Sequence, residues 1–257
     1  MRLDLHGRAP VAKTKPNKRD GTVDRVTTDP LALAVDLEGA TTRLIHSAAG
    51  LDDDAVAGPS LLPGWTRGHV LAHLSRNADA LGNLLTWART GVVTPAYASP
   101  EARAAGIEAD AHRPAAAQLD DLRESCDRFA GAVADMPAPA WVVMLDEKTG
   151  PAARVVWRRL REVEVHHVDL DAGYATAEWP AAFAQRLLHE VIANRPGPPV
   201  TVIADEMGHP LRFGAEGDPV VIRGAAHELA GWLAGRSDGK LLDVDPRGPL
   251  PTLDDWM

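Results

Sequence analysis

The sequence predicts an α+β protein, a four-helix bundle followed by a small α+β domain, and three observations carry that prediction. Four long segments before residue 180 place apolar residues at helical intervals. Proline and glycine clusters separate them. After residue 180 the texture changes to short apolar runs bounded by proline. The expected organisation is a flexible extension over residues 1–28, the bundle over 29–179 and the α+β domain over 180–257.

Asp29 and Pro30 predict the start of the first helix, because Asp caps well and Pro fits the first helical position. That helix runs to about Gly50, with Leu33, Val35, Leu37, Leu44 and Ile45 as its core side. A Pro63-Gly64 turn leads to Thr66, which can cap a second helix carrying Val70, Leu71, Leu74, Leu81, Leu84, Leu85 and Trp87 and ending at Gly91. Residues 92–113 read as a long connection with one short helix from Ser99. The third helix fits Pro114 to about Met136, where the Pro137–Pro139 break stops it. Trp141–Met144 reads as a short extended piece. Gly150-Pro151 then introduces a fourth helix through Trp157, Leu160, Val163 and Val168, closed by Gly173. A fifth helix spans Pro180 to about Asn194. Short strands follow at Pro199–Ala204, Pro210–Phe213 and Pro219–Ile222, then a helix over Gly224–Gly235 and a last strand near Lys240–Val244.

Composition narrows the function. The chain has 257 residues, of which 45% are hydrophobic, enough for a sizeable core. A net charge of −9 argues against nucleic acid as a partner, since phosphate-backbone binders carry a basic excess. The basic stretch at residues 2–25 lacks the apolar run of a signal peptide, and no segment approaches the roughly 18 to 20 apolar residues that span a bilayer. A cytoplasmic protein without a membrane partner, monomeric or a small homo-oligomer, is expected. Cys126 is the single cysteine, so neither an internal disulfide nor a cysteine-cluster metal site is possible. It lies beside acids, which disfavour a thiolate, and is read as structural. Neither a glycine-rich phosphate cradle nor a serine-centred hydrolase elbow is present.

The densest group of potential ligands is Arg161–Asp171 on the fourth helix. Glu162, His166 and Asp169 share one narrow arc; Glu164, His167 and Asp171 share another. Carboxylate oxygen with neutral imidazole suits zinc or a similar divalent ion. The second helix offers a further ligand as His69 or His73, also on one face. Spacing alone leaves both choices open, against the plain alternative of a charged face with pairing among Arg158, Arg161, Glu162 and His166. His227 and Glu228, on a short apolar helix, are read as structural or solvated.

Two motifs, Leu62–Leu74 (LPGWTRGHVLAHL) and Arg161–Leu170 (REVEVHHVDL), resemble those of the mycothiol-dependent maleylpyruvate isomerases, members of the DinB-like metal-binding bundle superfamily. The likeness extends through Ala80–Gly91, Tyr97–Arg103, Asp169–Tyr174 and Arg223–Arg236. Carried over residue by residue, it implies metal ligands at His73, Glu162 and His166, with His69, Glu164 and His167 in supporting or structural places. It implies a catalytic or ligand-orienting carboxylate at Asp169 and a catalytic arginine at Arg236. The implied cofactors are a divalent metal, zinc foremost, and mycothiol. The implied reaction is conversion of maleylpyruvate to fumarylpyruvate by reversible addition of a metal-held thiolate to the cis double bond. Arg236 or Arg103 would hold a substrate carboxylate, and the C-terminal domain would close over the bundle mouth to supply Arg236. The alternatives are a mycothiol S-transferase on the same scaffold, which would consume thiol, and a non-catalytic metal-binding protein, which would need a filled coordination sphere.

Overall fold

Capping residues set the helix boundaries in the computed structural model, which describes residues 29–146, 149–193, 195–254 and 256. The extension expected over residues 1–28 lies outside the described residues, as does Asn194, where the fifth helix was expected to end. Helix α1 (Pro30–Ala49) starts on Asp29, whose carboxylate accepts from the Leu31 N–H. Helix α2 (Asp53–Ala57), not among the elements expected from sequence, is little more than one turn; Asp52 caps it through the Ala55 N–H. Helix α3 (Arg67–Thr90) starts on Thr66 and ends at Gly91, whose φ of 74° is the left-handed conformation that glycine adopts without strain.

The connection after Gly91 holds more helix than expected: Ser99 caps α4 (Pro100–Ala111), a twelve-residue element, which leaves residues 92–99 and 112–113 irregular. Alanine-rich sequence with a good cap sustains it although its apolar periodicity is weak. Helix α5 (Ala115–Ala134) follows. Residues 138–142 then form a 3-10 turn that takes in Trp141 and Val142 of the expected extended piece, because Pro137 and Pro139 both hold φ in a range compatible with a tight helical turn; Val143 is extended and Met144 bridges Pro151. Helix α6 (Arg154–Asp169) stops before Gly173; the turn is made at Asp171, with φ 53°.

The four long helices close a ring: α3 lies against α5 and α6, and α1 against α6 and α5. Leu37, Leu44, Leu71, Leu74, Leu122 and Leu160 are buried between them, whereas Val35 is exposed and Ile45 only partly covered. Helix α7 (Ala181–Ile192) docks on α6 through Trp157, which packs against Phe183 and donates to Glu190. Beyond it, β1 (Val200–Ala204), β2 (Leu211–Phe213), β3 (Val220–Gly224) and β4 (Asp243–Asp245) form one sheet in the order β2-β1-β3-β4. The last strand begins three residues later than the sequence predicted. Strands β1 and β3 run parallel, with Val200 opposite Val220; the other pairs are antiparallel. Helix α8 (Ala226–Leu233) covers β1 and β3 on one side and α7 on the other. One continuous cluster of buried apolar side chains runs from Leu33 in the bundle to Leu242 beside the sheet. Among the described residues, no helix is long and apolar enough to cross a membrane.

Candidate metal centre

His73 lies two turns into α3, and Glu162 and His166 lie one turn apart on the facing side of α6. The ring packing of α3 against α6 brings them together. Their donor atoms all fall within 4.8 Å of one another. Oε2 of Glu162 is 3.1 Å from Nε2 of His73 and 3.4 Å from Nε2 of His166, and the two imidazoles meet edge to face at 4.6 Å. Oε1 of Glu162 faces the other way and accepts from Arg161 at 3.4 Å.

Each imidazole is fixed from its far side. Nδ1 of His166 donates to Oδ2 of Asp169 at 2.8 Å. Asp169 in turn accepts from Nε of Arg236 at 3.0 Å and from Nη2 at 2.9 Å, a bidentate pair. Arg236 reaches this position because Gly235, with φ 74°, ends α8 and turns the chain back to the bundle, and its Nη1 donates to the Ala234 carbonyl. On the other ligand, Nδ1 of His73 accepts from Arg103 of α4 at 3.3 Å, and Trp65 packs its edge 5.8 Å away.

These contacts set the charges. Burial holds His73 down at about 4, with the nearby His166 and Arg103 adding to the effect of burial. It is therefore neutral, with the proton on Nε2 facing Glu162 and a lone pair on Nδ1 facing Arg103. Burial opposes protonation of His166 too, but the carboxylates of Asp169 and Glu162 prevail and raise it. Burial also disfavours the charge on Glu162, yet hydrogen bonds from His166 and His73 hold its carboxyl well below the usual range. Asp169, buried as well, is lowered by His166 and Arg236.

One carboxylate oxygen and two Nε2 atoms from facing helices, with the outer ring nitrogen of His166 tied to a carboxylate, form the donor set that fits a zinc-like divalent ion. Glu162 and His166 keep a little side-chain exposure, 14% and 10%, so the set is not sealed from solvent.

The rival arc on α6 is structural. Glu164 accepts from Arg43 of α1 at 2.7 Å and from Tyr174 at 2.5 Å, and His167 bonds Ser47 at 2.8 Å while stacking on Tyr174. Asp171 pairs with Arg67 at 2.7 Å. His69 closes the capping box of α3 with Thr66. Glu228 accepts from Ser237 at 3.0 Å, and Cys126 is buried beside Arg159 with a 3.5 Å contact. Two contacts were not assigned from sequence: Trp65 against His73, and Tyr97, whose ring lies 5.9 Å from the Arg103 guanidinium. Trp65 and Tyr97 stood inside the recognised motifs, but nothing in their spacing shows what their side chains meet.

A cavity of about 800 Å³ opens beside the relay, lined by Leu62, Asp169, Arg195, Trp232, Arg236 and Trp256. An apolar groove of about 760 Å³ between α1 and α5 shares no residue with the triad.

The sequence matches the family model for the mycothiol maleylpyruvate isomerase N-terminal domain over residues 37–171 and that for the MDMPI C-terminal domain over residues 178–255. Two solved structures, the mycothiol-dependent maleylpyruvate isomerase and a histidine-to-alanine mutant of it, superpose with TM-scores of 0.80 at 27% identity. Each alignment covers 87% of this chain and 96% of the other. No curated protein matches the chain.

Proposed function

Because the chain belongs to the mycothiol maleylpyruvate isomerase family, we propose that it is a metal- and mycothiol-dependent enzyme converting maleylpyruvate to fumarylpyruvate. The observation that carries the reading is the convergence of His73, Glu162 and His166, backed by the His166–Asp169–Arg236 relay. A zinc-class ion held by the three ligands would keep the mycothiol sulfur as thiolate, whose reversible addition to the conjugated cis double bond permits rotation to the trans isomer.

The chain's own residues do the rest. Asp169 accepts the Nδ1 proton of His166 and so presents Nε2 as a lone pair toward the ion. Arg236 holds Asp169 in place; with Nε, Nη1 and Nη2 all engaged, it acts as a positioning residue and not as a substrate clamp. Arg103 is the stronger candidate for a substrate carboxylate. Arg103 lies 3.3 Å from Nδ1 of His73; were an ion held at Nε2, the proton would sit on Nδ1 and the guanidinium would be free to pair with a substrate carboxylate and oppose enolate charge. Trp65 shields the His73 side from water. The cavity beside Asp169 and Arg236 has room for a thiol cofactor larger than the substrate.

The test is absorbance-monitored conversion of maleylpyruvate by zinc-loaded protein, with and without mycothiol. Thiol-dependent turnover that regenerates free thiol and vanishes in His73→Ala is expected. Consumption of the thiol would identify an S-transferase, and zinc binding without any turnover would leave a binding protein.

A further inference from the structure

A second set of ligating side chains lies outside the triad. His69 stands one turn before His73 on α3, and Glu108 and His112 stand one turn apart at the end of α4; their donor atoms fall within 4.8 Å of one another. Nε2 of His69 is 3.3 Å from Oε2 of Glu108, and Nε2 of His112 is 3.1 Å from Oε1. The two imidazoles meet edge to face at 5.3 Å.

Two features set this cluster apart from a surface ion pair. His69 is buried, and its ring is fixed by a 2.7 Å contact between Nδ1 and Oγ1 of Thr66. Nδ1 accepts from the Thr66 N–H at 3.2 Å, so Nε2–H faces Glu108; an ion at Nε2 would shift the proton to Nδ1, where Oγ1 of Thr66 lies in reach to accept it. The end of α4 is held against α3 independently of the cluster, by Arg76 to Asp110 at 3.3 Å and by Ile107 and Ala111 packed on Ala72. The ligands are thus positioned before any ion arrives. The neighbouring cation Arg113 is engaged by Asp110 and Asp121, and both imidazoles hold the exposed Glu108 carboxyl below its usual range.

We propose that His69, Glu108 and His112 form a second divalent-cation site at the junction of α3 and α4. Two imidazoles and one carboxylate select zinc, cobalt, nickel or copper over magnesium or calcium. Glu108 and His112 are 67% and 65% exposed, which leaves water to complete the sphere. An ion there fastens the end of α4, the helix that carries Arg103, to the helix that carries His73. The inference does not rest on the catalytic reading, since the two ligand sets share no residue.

Metal-stripped full-length protein titrated with Zn²⁺ by calorimetry tests it. Wild type is expected to bind two equivalents, the second saturating below about 1 mM. His112→Ala and Glu108→Gln, both at exposed positions, are each expected to lose one equivalent, and His73→Ala to lose the other. Zinc added beyond the first equivalent is expected to raise the Tm of wild type and not that of His112→Ala. Stoichiometry that stays at the wild-type value in both His112→Ala and Glu108→Gln overturns the proposal, as does a single wild-type equivalent that His73→Ala abolishes. If the triad does not hold metal, His73→Ala binds as wild type does and His112→Ala alone still loses an equivalent, so the two failures are distinguishable.

Discussion

His73 and His166 enter the triad in different protonation states, and the difference is measurable. His73 is neutral and needs only a tautomer change to present Nε2, whereas His166 is raised by Asp169 and Glu162 and must release a proton to become a ligand. Below the His166 pKa, zinc affinity at the triad should therefore rise about tenfold per pH unit, one proton leaving per ion, and level off above it. A slope near zero, read by competition with a chelator across pH, would contradict this assignment. Asp169→Asn and Arg236→Ala leave all three ligands in place but loosen His166; affinity should fall about 10- to 100-fold in the first and less in the second. Arg236→Lys should not restore it, because an ammonium cannot make the bidentate pair with Asp169. His167 offers a pH signature unconnected with the triad. Burial, with Arg43 nearby, lowers it to about 4, so the unfolded chain binds more protons between pH 4 and 6.5 and stability rises with pH across that window. The contribution is roughly 1 to 3 kcal/mol, present in full above pH 6.5 and lost toward pH 4. His167→Gln should flatten that part of the stability profile in urea melts.

Helix α3 carries His69 and His73, and two of its features tie sequence to placement. Thr66 caps it with the His69 N–H and fixes where the first turn begins, so Thr66→Ala should lower stability by about 1 kcal/mol. Gly68 stands where a Cβ would lie 2.2 Å from the Ala111 carbonyl and 2.8 Å from Nε2 of Gln118. Alanine at 68 gains about 1 kcal/mol of helix propensity but forces α3 away from α4 and α5, and overpacking of this kind costs about 1 to 3 kcal/mol. We expect Gly68→Ala to lower the denaturation midpoint despite the better propensity. Such boundaries were legible wherever a cap is local: Asp29, Thr66 and Ser99 each announce a helix start by one side chain and the next turn. Trp141–Met144 was legible only in its second half, because a short apolar run after prolines fits an extended piece and a 3-10 turn equally well, and Trp141 and Val142 join the turn. Val35 was misplaced for a similar reason, since α1 has an apolar residue beyond what its buried stripe accommodates.

At the scale of the whole molecule, the bundle and the sheet region share one apolar core, and Arg236 from beyond α8 closes the relay behind His166. Thermal unfolding followed by far-UV circular dichroism and by tryptophan fluorescence should therefore give coincident transitions; two separated transitions would show that the continuous core does not couple the parts. The sequence by itself determined the helix order, the change of texture after residue 180, and the chemistry available on α6, because caps, breaks and periodicity are properties of neighbouring residues. Motif likeness singled out His73, Glu162 and His166 from a helix whose two polar arcs are equal in spacing. Only the tertiary structure decided what the arcs meet: Arg43, Ser47 and Tyr174 take up Glu164 and His167, while α3 faces Glu162 and His166. It also decided that Arg236 serves Asp169, and that His69 meets Glu108 and His112, since such contacts join residues tens of positions apart and depend on how whole helices pack.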